Sequence, residues 1–505
     1  MSRPKPARPA APAAPAAPNL AWLDVRAPFL LPALLLVVTR LWFASQIPFA
    51  AEDAYITFRY AWNFAHGLGP VFNAGERVFG FTSPPWMAWN ALGIAVGQDP
   101  MLWSRVTLAL ADLVTLFAMA ALLQRHASRT AAWCFAVFLA AWPYFAALAA
   151  SGLEPGAMLA LIAGTAWLLD RRSPLAGVTL GLLAVFRPEG LVAAAALAVW
   201  APNRDRLVAG AVLVVVAGAL AAYFGSPLPQ SMFAKAAVYG TPGPLGSKHW
   251  WDWALPFPVG NGLADTSEGK NFFLVTVLVA PAAFAGIAAL WRARTTALAA
   301  AAAAGVLVWL GYIATGAVYF YWYFATPLFA WIALAAVGLP TIVTGWYVYA
   351  AVATAIAGHW TFEPLLYIGR AYSEGQAFGT LGSYVAQRAA KGETVLLEPI
   401  GTVGWRARDV RVLDEVGLVT ADVAARRRQG PGWYADLLAR RKPEWLVVRA
   451  GLLRRGEAFT GAGAPFRSLE ERLQALAAYD TAAVGDTTAG DENFLVLVRR
   501  DRAPK

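Results

Sequence analysis

The chain has 505 residues, of which 58% are hydrophobic and only 14% are charged. A soluble protein carries about a quarter charged residues, so this composition excludes a soluble enzyme, a disordered protein and a disulfide-rich scaffold. The formal net charge of +10 is typical of a membrane protein whose basic loops contact anionic lipid, and we expect no nucleic acid partner.

Residues 1–27 are basic and rich in proline and alanine, which predicts a disordered cytoplasmic tail. Residues 28–360 contain enough apolar sequence for about eleven transmembrane helices, because each helix needs about 20 apolar residues. We therefore predict a polytopic α-helical membrane domain over this region. Its spans are expected near residues 28–47, 102–124, 129–149, 154–170, 174–187, 188–202, 206–224, 271–291, 296–315, 321–338 and 340–357.

The apolar segment 83–97 decides the predicted topology. It is too short to span easily, and it contains Trp86, Trp89 and Asn90, which are typical of the headgroup level. If this segment lies on the outer interface, the arginines of the short loops all face the cytoplasm, as the positive-inside rule requires. The N-terminus is then cytoplasmic, and the large segments 48–101, 225–270 and 361–505 lie outside. We expect the chemistry on that outer side.

The composition changes near residue 361, because the region from 361 to 505 holds 18 of the 31 acidic residues and 21 of the 41 basic residues. Alternating apolar patterns predict strands near residues 392–400, 410–413, 444–449 and 493–499. Helical periodicity predicts helices near 376–390, 432–441 and 468–478. We therefore expect residues 361–505 to form a soluble α/β domain outside the membrane.

Acidic side chains are rare before residue 361, and each is costly in a membrane unless it faces water or a partner. Glu52, Asp53, Glu154 and Glu189 all stand where a predicted span reaches the outer face. We therefore expect these carboxylates to converge at one mouth. Such a mouth would also suit a loosely held divalent cation, although no tight metal-binding motif is visible.

Residues 52–86, with the sequence EDAYITFRYAWNFAHGLGPVFNAGERVFGFTSPPW, resemble the first outer loop of GT-C superfamily glycosyltransferases that use polyprenyl-phosphate sugars. The resemblance is strongest to the mycobacterial terminal arabinofuranosyltransferase family. Shorter segments similar to the same group follow in order at residues 151–154, 187–190, 223–235, 322–327, 398–401 and 414–418.

This resemblance implies that a sugar is transferred with inversion from a polyprenyl-phosphate donor to an acceptor outside a bacterial plasma membrane. It leaves the sugar open, with arabinofuranose as one candidate, and leaves the acceptor open between a glycan, a lipid and a protein. An acceptor hydroxyl must lose its proton as it attacks, which requires a base. Asp53 matches the second acidic position of the family loop and is the predicted base. Glu52 stands at the first position, where aspartate is usual.

The leaving lipid phosphate needs nearby cations at the outer headgroup level. The predicted phosphate ligands are Arg187, Lys235, Arg59 and Arg40, and each could instead reach out to lipid headgroups. The predicted sugar or acceptor contacts are Glu154, Glu189, Tyr55, His249 and Trp250. The segment with His249 and Trp250 favours anchoring at the membrane interface over sugar contact, and Glu189 could orient Arg187 instead.

A transporter or flippase of lipid-linked sugars is the alternative function. Such proteins place ionisable groups near the middle of the membrane and often contain two related halves. In this sequence the acidic residues gather at the outer ends of spans, and Asp112 alone is expected inside one. The pattern therefore favours an enzyme.

Overall fold

The computed structural model describes residues 29–239, 267–293, 296–317, 320–361, 363–450, 459, 463–485 and 494–502. Most of this length before residue 361 is helical. The helices of this part are α1 (Leu30–Gln46), α2 (Glu52–Ala65), α3 (Pro84–Ala95), α4 (Pro100–His126), α5 (Arg129–Ala141), α6 (Pro143–Ser151), α7 (Pro155–Asp170), α8 (Ala176–Phe186), α9 (Pro188–Ala198), α10 (Asn203–Phe224), α11 (Gln230–Tyr239), α12 (Ser267–Ala293), α13 (Ala297–Thr315), α14 (Ala325–Ile342) and α15 (Tyr347–Trp360).

Four helices among the described residues are long and apolar enough to cross a membrane: α4, α10, α13 and α14 with the short 3-10 turn before it. A fifth span results if α5 and α6, which meet at an angle of 51°, are counted together. Other apolar helices have only 10–17 residues. The predicted number of eleven spans is therefore not confirmed, although apolar helices lie close to every predicted position.

Helices α8 and α9 fold back on each other as a hairpin. Each has 11 residues, or about 17 Å at 1.5 Å per residue, which is about half of the hydrocarbon core. The break lies at Arg187, whose backbone is extended, and the following Pro188 disfavours a continuous helix. The two predicted spans 174–187 and 188–202 therefore form a hairpin that carries Arg187 at its tip.

A buried ion pair lies inside the helical bundle. The Nε atom of Arg40 on α1 donates to Asp112 on α4 at 2.8 Å, and its other nitrogens donate to the carbonyl oxygens of Leu139 and Ala140 at 3.0 and 2.9 Å. Both side chains are almost fully buried. Arg40 is thus a structural link between three helices, and this position does not suit its predicted role as a phosphate ligand.

The C-terminal part alternates helices and strands. Its elements are α16 (Glu363–Arg388), β1 (Thr394–Leu397), α17 (Ile400–Arg406), β2 (Arg411–Asp414), α18 (Ala421–Arg427), α19 (Trp433–Arg441), β3 (Trp445–Arg449), α20 (Leu469–Leu476), β4 (Tyr479–Gly485) and β5 (Phe494–Arg499). The five strands form one sheet in the order β2-β1-β3-β5-β4. Strands β1, β2 and β3 are parallel, whereas β5 is antiparallel to β3 and β4. The predicted α/β architecture is confirmed.

Buried polar side chains connect the segment 52–86 to the C-terminal part. Arg59 on α2 donates to the carbonyl oxygens of Phe72, Gly404 and Val410 at 2.9, 2.8 and 2.8 Å. Asn73 exchanges two hydrogen bonds with the backbone of Val412 in β2, at 2.8 and 2.9 Å. Because burial makes such hydrogen bonds costly to break, this segment and the C-terminal part form one packed unit. Arg59 is used in this junction, so it is not placed to bind a phosphate.

The C-terminal part is expected to become less stable as the pH rises, because burial, followed by the charge of Glu398, raises the pKa of Glu415 to about 8. Below pH 4.5 the carboxyl is protonated in both states. Between pH 4.5 and 8 the unfolded chain loses this proton and the folded chain keeps it. The free energy of unfolding therefore falls by at most about 1.4 kcal/mol per pH unit in this range. We expect Glu415→Gln to flatten this slope in thermal unfolding curves, and an unchanged slope would contradict the assignment.

Candidate active site

Two cavities meet beside the start of α2. The large chamber has a volume of about 460 Å³ and lies between the helical bundle, α16 and the C-terminal sheet. The small chamber has a volume of about 40 Å³, which suits a small polar group. The two chambers have five lining residues in common, which are Asp53, Ile56, Lys235, Trp322 and Leu418.

Asp53 lies in the first turn of α2, next to both chambers. Its side chain is about a quarter exposed, at 28%, and its carboxylate accepts a hydrogen bond from the Nζ atom of Lys235 on α11 at 3.3 Å. No side-chain hydrogen bond caps the N-terminus of α2 among the described residues. Helix capping, which often explains an acid at this position, therefore does not explain Asp53.

The start of α2 is held by the turn that follows α6. The backbone N–H of Ala51 donates to the carbonyl oxygen of Ser151 at 2.8 Å. The next residue, Gly152, has a φ of +79°, a left-handed conformation that favours glycine and ends α6. This turn also leads directly to Glu154. It therefore brings the two carboxylates Asp53 and Glu154 to one place, as predicted.

Glu52 faces the C-terminal part. Its Oε1 atom accepts a hydrogen bond from the backbone N–H of Gly401, and a Cβ atom at position 401 would overlap the backbone of Glu52. Burial and then the nearby charge of Asp53 raise the pKa of Glu52 well above its usual value. Of the two neighbouring acids, Glu52 is therefore the one that tends to keep a proton.

Lys235 lies between Asp53 and an aromatic wall. Its Nζ atom is 5.1 Å from the ring centre of Phe320 and 5.8 Å from that of Trp322. Burial alone would lower the pKa of Lys235, but Tyr323 and Asp53 outweigh burial and raise this pKa to about 12. The ammonium group is therefore charged at neutral pH.

Arg187 is surrounded by carboxylates at the tip of the α8–α9 hairpin. Its Nε atom donates to Glu189 at 2.5 Å, and its Nη1 atom donates to Glu154. Further hydrogen bonds run from Tyr312 to Glu189 at 3.0 Å and from Thr82 to Glu154 at 3.2 Å. Glu154 and Glu189, two of the carboxylates expected at one mouth, therefore meet at Arg187, and Arg187 and Glu154 line the small chamber.

Ser231 is a site residue that the sequence did not reveal. It lines the small chamber and is buried, and its hydroxyl has no hydrogen-bond partner among the described residues. Its position four residues before Lys235 on α11 places both side chains on one helix face, and this spacing is a signal that could have identified it. A buried hydroxyl without a partner in a cavity is a natural contact for a polar ligand.

The segment 414–418 forms part of the shared wall. The carboxylate of Asp414 accepts hydrogen bonds from the backbone N–H groups of Val416 and Val419 at 2.8 and 3.1 Å, and another from Leu418. Burial raises the pKa of Asp414 to about 6. Asp414 therefore shapes the loop that places Leu418 against both chambers.

The remaining predicted site residues are not brought to these chambers. Tyr55 contacts Phe58 and Trp405, and its hydroxyl accepts a hydrogen bond from the N–H of Ala50 at 3.3 Å. His249 and Trp250 lie outside the described residues. Within the described part of the chain, no group of three His, Cys, Asp or Glu side chains is arranged to hold a metal ion, so the divalent cation receives no support.

Comparison with known proteins gives two matches in sequence. A family model described as a domain of unknown function, DUF8728, matches residues 368–496. The terminal β-(1→2)-arabinofuranosyltransferase of Mycobacterium tuberculosis is 30% identical over 231 residues, which are 39% of this chain and 36% of that enzyme. The chain is thus aligned with only about a third of the length of this relative.

Solved structures match over most of the chain. ArnT from Cupriavidus metallidurans bound to undecaprenyl phosphate superimposes over 97% of this chain and 100% of its own, with a TM-score of 0.58 and 12% identity. The apo oligosaccharyltransferase of Archaeoglobus fulgidus superimposes over 92% of this chain and 73% of its own, with a TM-score of 0.52 and 12% identity. These matches confirm the fold that the resemblance implies.

Proposed function

We propose that this chain, a multi-pass membrane protein with the fold of the GT-C superfamily, is a glycosyltransferase. In this proposal it moves a sugar from a polyprenyl-phosphate donor to an acceptor on the outer face of the membrane. The observation that carries the proposal is the Asp53–Lys235 pair, which stands where the two chambers meet. The name of the arabinofuranosyltransferase relative and the undecaprenyl phosphate bound to ArnT support the reaction class and the donor class.

Asp53 is the proposed base of the transfer. The acceptor hydroxyl enters from the large chamber and attacks the anomeric carbon of the donor sugar. The bond between that carbon and the phosphate oxygen breaks, and its electron pair leaves with the lipid phosphate. The acceptor proton passes to Asp53, and attack opposite the leaving group inverts the anomeric centre. Because burial raises the pKa of Glu52, this side chain tends to carry a proton already and does not compete with Asp53 for the proton of the acceptor.

Lys235 is the proposed ligand of the donor phosphate. Arg187 already faces two carboxylates, whereas Lys235 has one carboxylate partner at the comparatively long distance of 3.3 Å. We infer that the ammonium group turns toward the phosphate when the donor binds, which releases the carboxylate of Asp53 for proton transfer. Ser231 can donate to the same phosphate from the next turn of α11.

Arg187 is then a positioning residue. It pairs with Glu189 and with Glu154, which lines the small chamber and can accept hydrogen bonds from sugar hydroxyls. The transporter alternative gains nothing from the structure, because Asp112, the acid predicted inside a span, is buried and paired with Arg40.

Replacement of Lys235 by alanine is expected to raise the KM for donor by about 10- to 100-fold, because a charge-assisted hydrogen bond contributes about 1.5–3 kcal/mol. The assay uses purified protein in detergent with polyprenyl-phosphate-linked arabinofuranose and mannose, and product is measured by mass spectrometry. Lys391→Ala, which removes an exposed lysine far along the chain, is the matched control. A donor KM unchanged in Lys235→Ala would remove this residue from the phosphate site.

The same assay tests the donor class. We expect turnover with at least one polyprenyl-phosphate sugar and none with soluble nucleotide sugars. Equal turnover with a nucleotide sugar would overturn the proposal.

A further inference from the structure

The carboxyl edge of the C-terminal sheet forms one wall of the large chamber. Strands β1 and β3 are parallel neighbours, and both end at this edge. The residues that line the chamber here are Glu398, Ile400 and Thr402, which follow β1, and Arg449, which ends β3. Parallel α/β sheets bind their ligands outside the carboxyl ends of the strands. The sheet therefore presents its usual ligand-binding edge to the proposed reaction site.

The strand order reverses at β1. The chain passes from β1 outward to β2 and then returns across β1 to β3. Val403 of α17, which follows β1, belongs to the same apolar cluster as Val395. Leu438 of α19, which precedes β3, belongs to the cluster of Leu396 on the other face of the sheet. Such a reversal, with helices on opposite faces, leaves a crevice between the carboxyl ends of the strands where ligands of α/β sheets bind.

An ion pair lies at this crevice. The Nε atom of Arg449 donates to the Oε2 atom of Glu398 at 2.5 Å, and the guanidinium group lies 5.0 Å from the ring centre of Phe494. The Oε1 atom of Glu398 accepts no hydrogen bond from the described residues, and 26% of this side chain is exposed. Glu398 therefore offers carboxylate oxygens to a ligand in the chamber.

The loop that carries Glu398 is attached to the start of α2. Three residues after Glu398, the backbone N–H of Gly401 donates to Glu52, where a Cβ atom at position 401 would find no room. After burial and the charge of Asp53, the charge of Glu398 also raises the pKa of Glu52, which indicates that these carboxyl groups lie near each other. Because Asp53 and Glu398 line the same chamber, a ligand of moderate size can contact both.

We propose that the carboxylate of Glu398 binds the acceptor by accepting hydrogen bonds from two neighbouring hydroxyl groups, with Arg449 as a positioning residue that fixes the direction of this carboxylate. This inference rests on the proposed function and deepens it, because it assigns acceptor recognition to the C-terminal sheet. An ionised carboxylate has about four lone-pair positions on its two oxygens. Arg449 uses one of them, so the others match a diol. A further hydroxyl of the same molecule is then held near Asp53.

The test is the binding of small neutral molecules to the full chain in nanodiscs, without donor. The probes are methyl arabinofuranoside and methyl mannopyranoside, which carry neighbouring hydroxyls, and an N-acetylated serine amide, which carries one. Binding is measured by titration with saturation-transfer NMR. We expect at least one glycoside to bind, with a Kd about tenfold or more higher in Glu398→Gln, because the amide lacks the charge and one of the two oxygens. The serine amide should not distinguish the two proteins.

Glu444→Gln is the matched control. Glu444 pairs with Arg499 at the opposite edge of the same sheet, is also 26% exposed and lines neither chamber. This variant should bind the glycoside as the wild type does. Binding that is absent for both glycosides, unchanged in Glu398→Gln, or reduced equally in Glu444→Gln would overturn the proposal.

Arg449 is tested in the same titration. Arg449→Leu should also weaken glycoside binding, and Arg449→Lys should restore most of it, because a cation again lies beside Glu398. Equal binding by Arg449→Leu and the wild type would contradict a positioning role.

This outcome is separable from that of the proposed function. If Asp53-dependent transfer occurs but Glu398→Gln changes neither glycoside binding nor the KM for acceptor, the Glu398 proposal fails and the reaction stands. If binding depends on Glu398 but no donor supports transfer, the binding site stands and the reaction fails.

Discussion

Replacement of Asp53 by asparagine should reduce sugar transfer by about 10²- to 10⁴-fold, the usual contribution of a general base. Asparagine has almost the same size but cannot accept the proton of the acceptor hydroxyl at neutral pH. The variant should fold, because the side chain is partly exposed and its hydrogen-bonding neighbours Lys235 and Glu52 can both donate to the amide oxygen of asparagine. Donor binding should persist, because Lys235 keeps its charge. Single-turnover transfer and donor affinity, measured on the same preparation, check both parts.

Glu76→Gln is the matched control for Asp53→Asn. Glu76 belongs to the same segment 52–86, where it pairs with Arg411 and accepts a hydrogen bond from Asn73 at 3.0 Å, and it does not line either chamber. The ion pair is partly exposed and contributes about 0–1 kcal/mol, and glutamine keeps an oxygen that can accept from Asn73, so this variant should transfer sugar at close to the wild-type rate. Wild-type turnover in Asp53→Asn, or an equal loss in both variants, would show that Asp53 is not the base.

The second large effect is expected on stability, at the buried pair of Arg40 and Asp112. Arg40→Met should destabilise the protein by about 3–5 kcal/mol, because it leaves the Asp112 carboxylate buried without its partner. The double variant Arg40→Met/Asp112→Leu should recover most of this loss, since two apolar side chains replace the pair. Thermal unfolding in one detergent measures all three proteins.

The same variants decide between two roles for Arg40. If Arg40 binds the donor phosphate, as the sequence predicts, the stable double variant Arg40→Met/Asp112→Leu should lose donor affinity. We expect an unchanged donor KM, because Arg40 donates to Asp112 and to two backbone carbonyls and lines neither chamber. A double variant as unstable as Arg40→Met alone would contradict the ion-pair explanation.

The sequence predicted the helical bundle and the C-terminal sheet well, because apolar runs and alternating strands are local signals. The short helix α3, for example, follows from the length and tryptophans of segment 83–97. Strand β4 was missed, since Tyr479–Gly485 is rich in small residues and lacks a strong alternating pattern. Helix α17 is not predicted, because its seven residues give too short a pattern and its first residue, Ile400, falls in the predicted strand 392–400.

A charged site residue is predictable from sequence when it lies in a recognisable motif. The role of a charged residue is not predictable when its partners are distant in sequence. Asp53 and Lys235 come together although 182 residues separate them, and family resemblance supplied both. Arg59 is predicted to lie at the same membrane depth as Lys235. Its partners Gly404 and Val410, however, lie about 350 residues away in sequence, and no local pattern reveals them. Ser231 was overlooked because its significance depends on a cavity.

Arg59 and Asn73 also affect how chimeras of this protein and its relatives can be designed. Their side chains hydrogen bond to backbone atoms of Gly404, Val410 and Val412. These contacts therefore depend on the backbone conformation at the three positions and not on which side chains stand there. A chimera that swaps the C-terminal sheet alone would mismatch these positions, and the wall beside Leu418 would shift with them. Grafting new acceptor preferences therefore requires transplanting the segment 52–86 and the sheet as a single cassette.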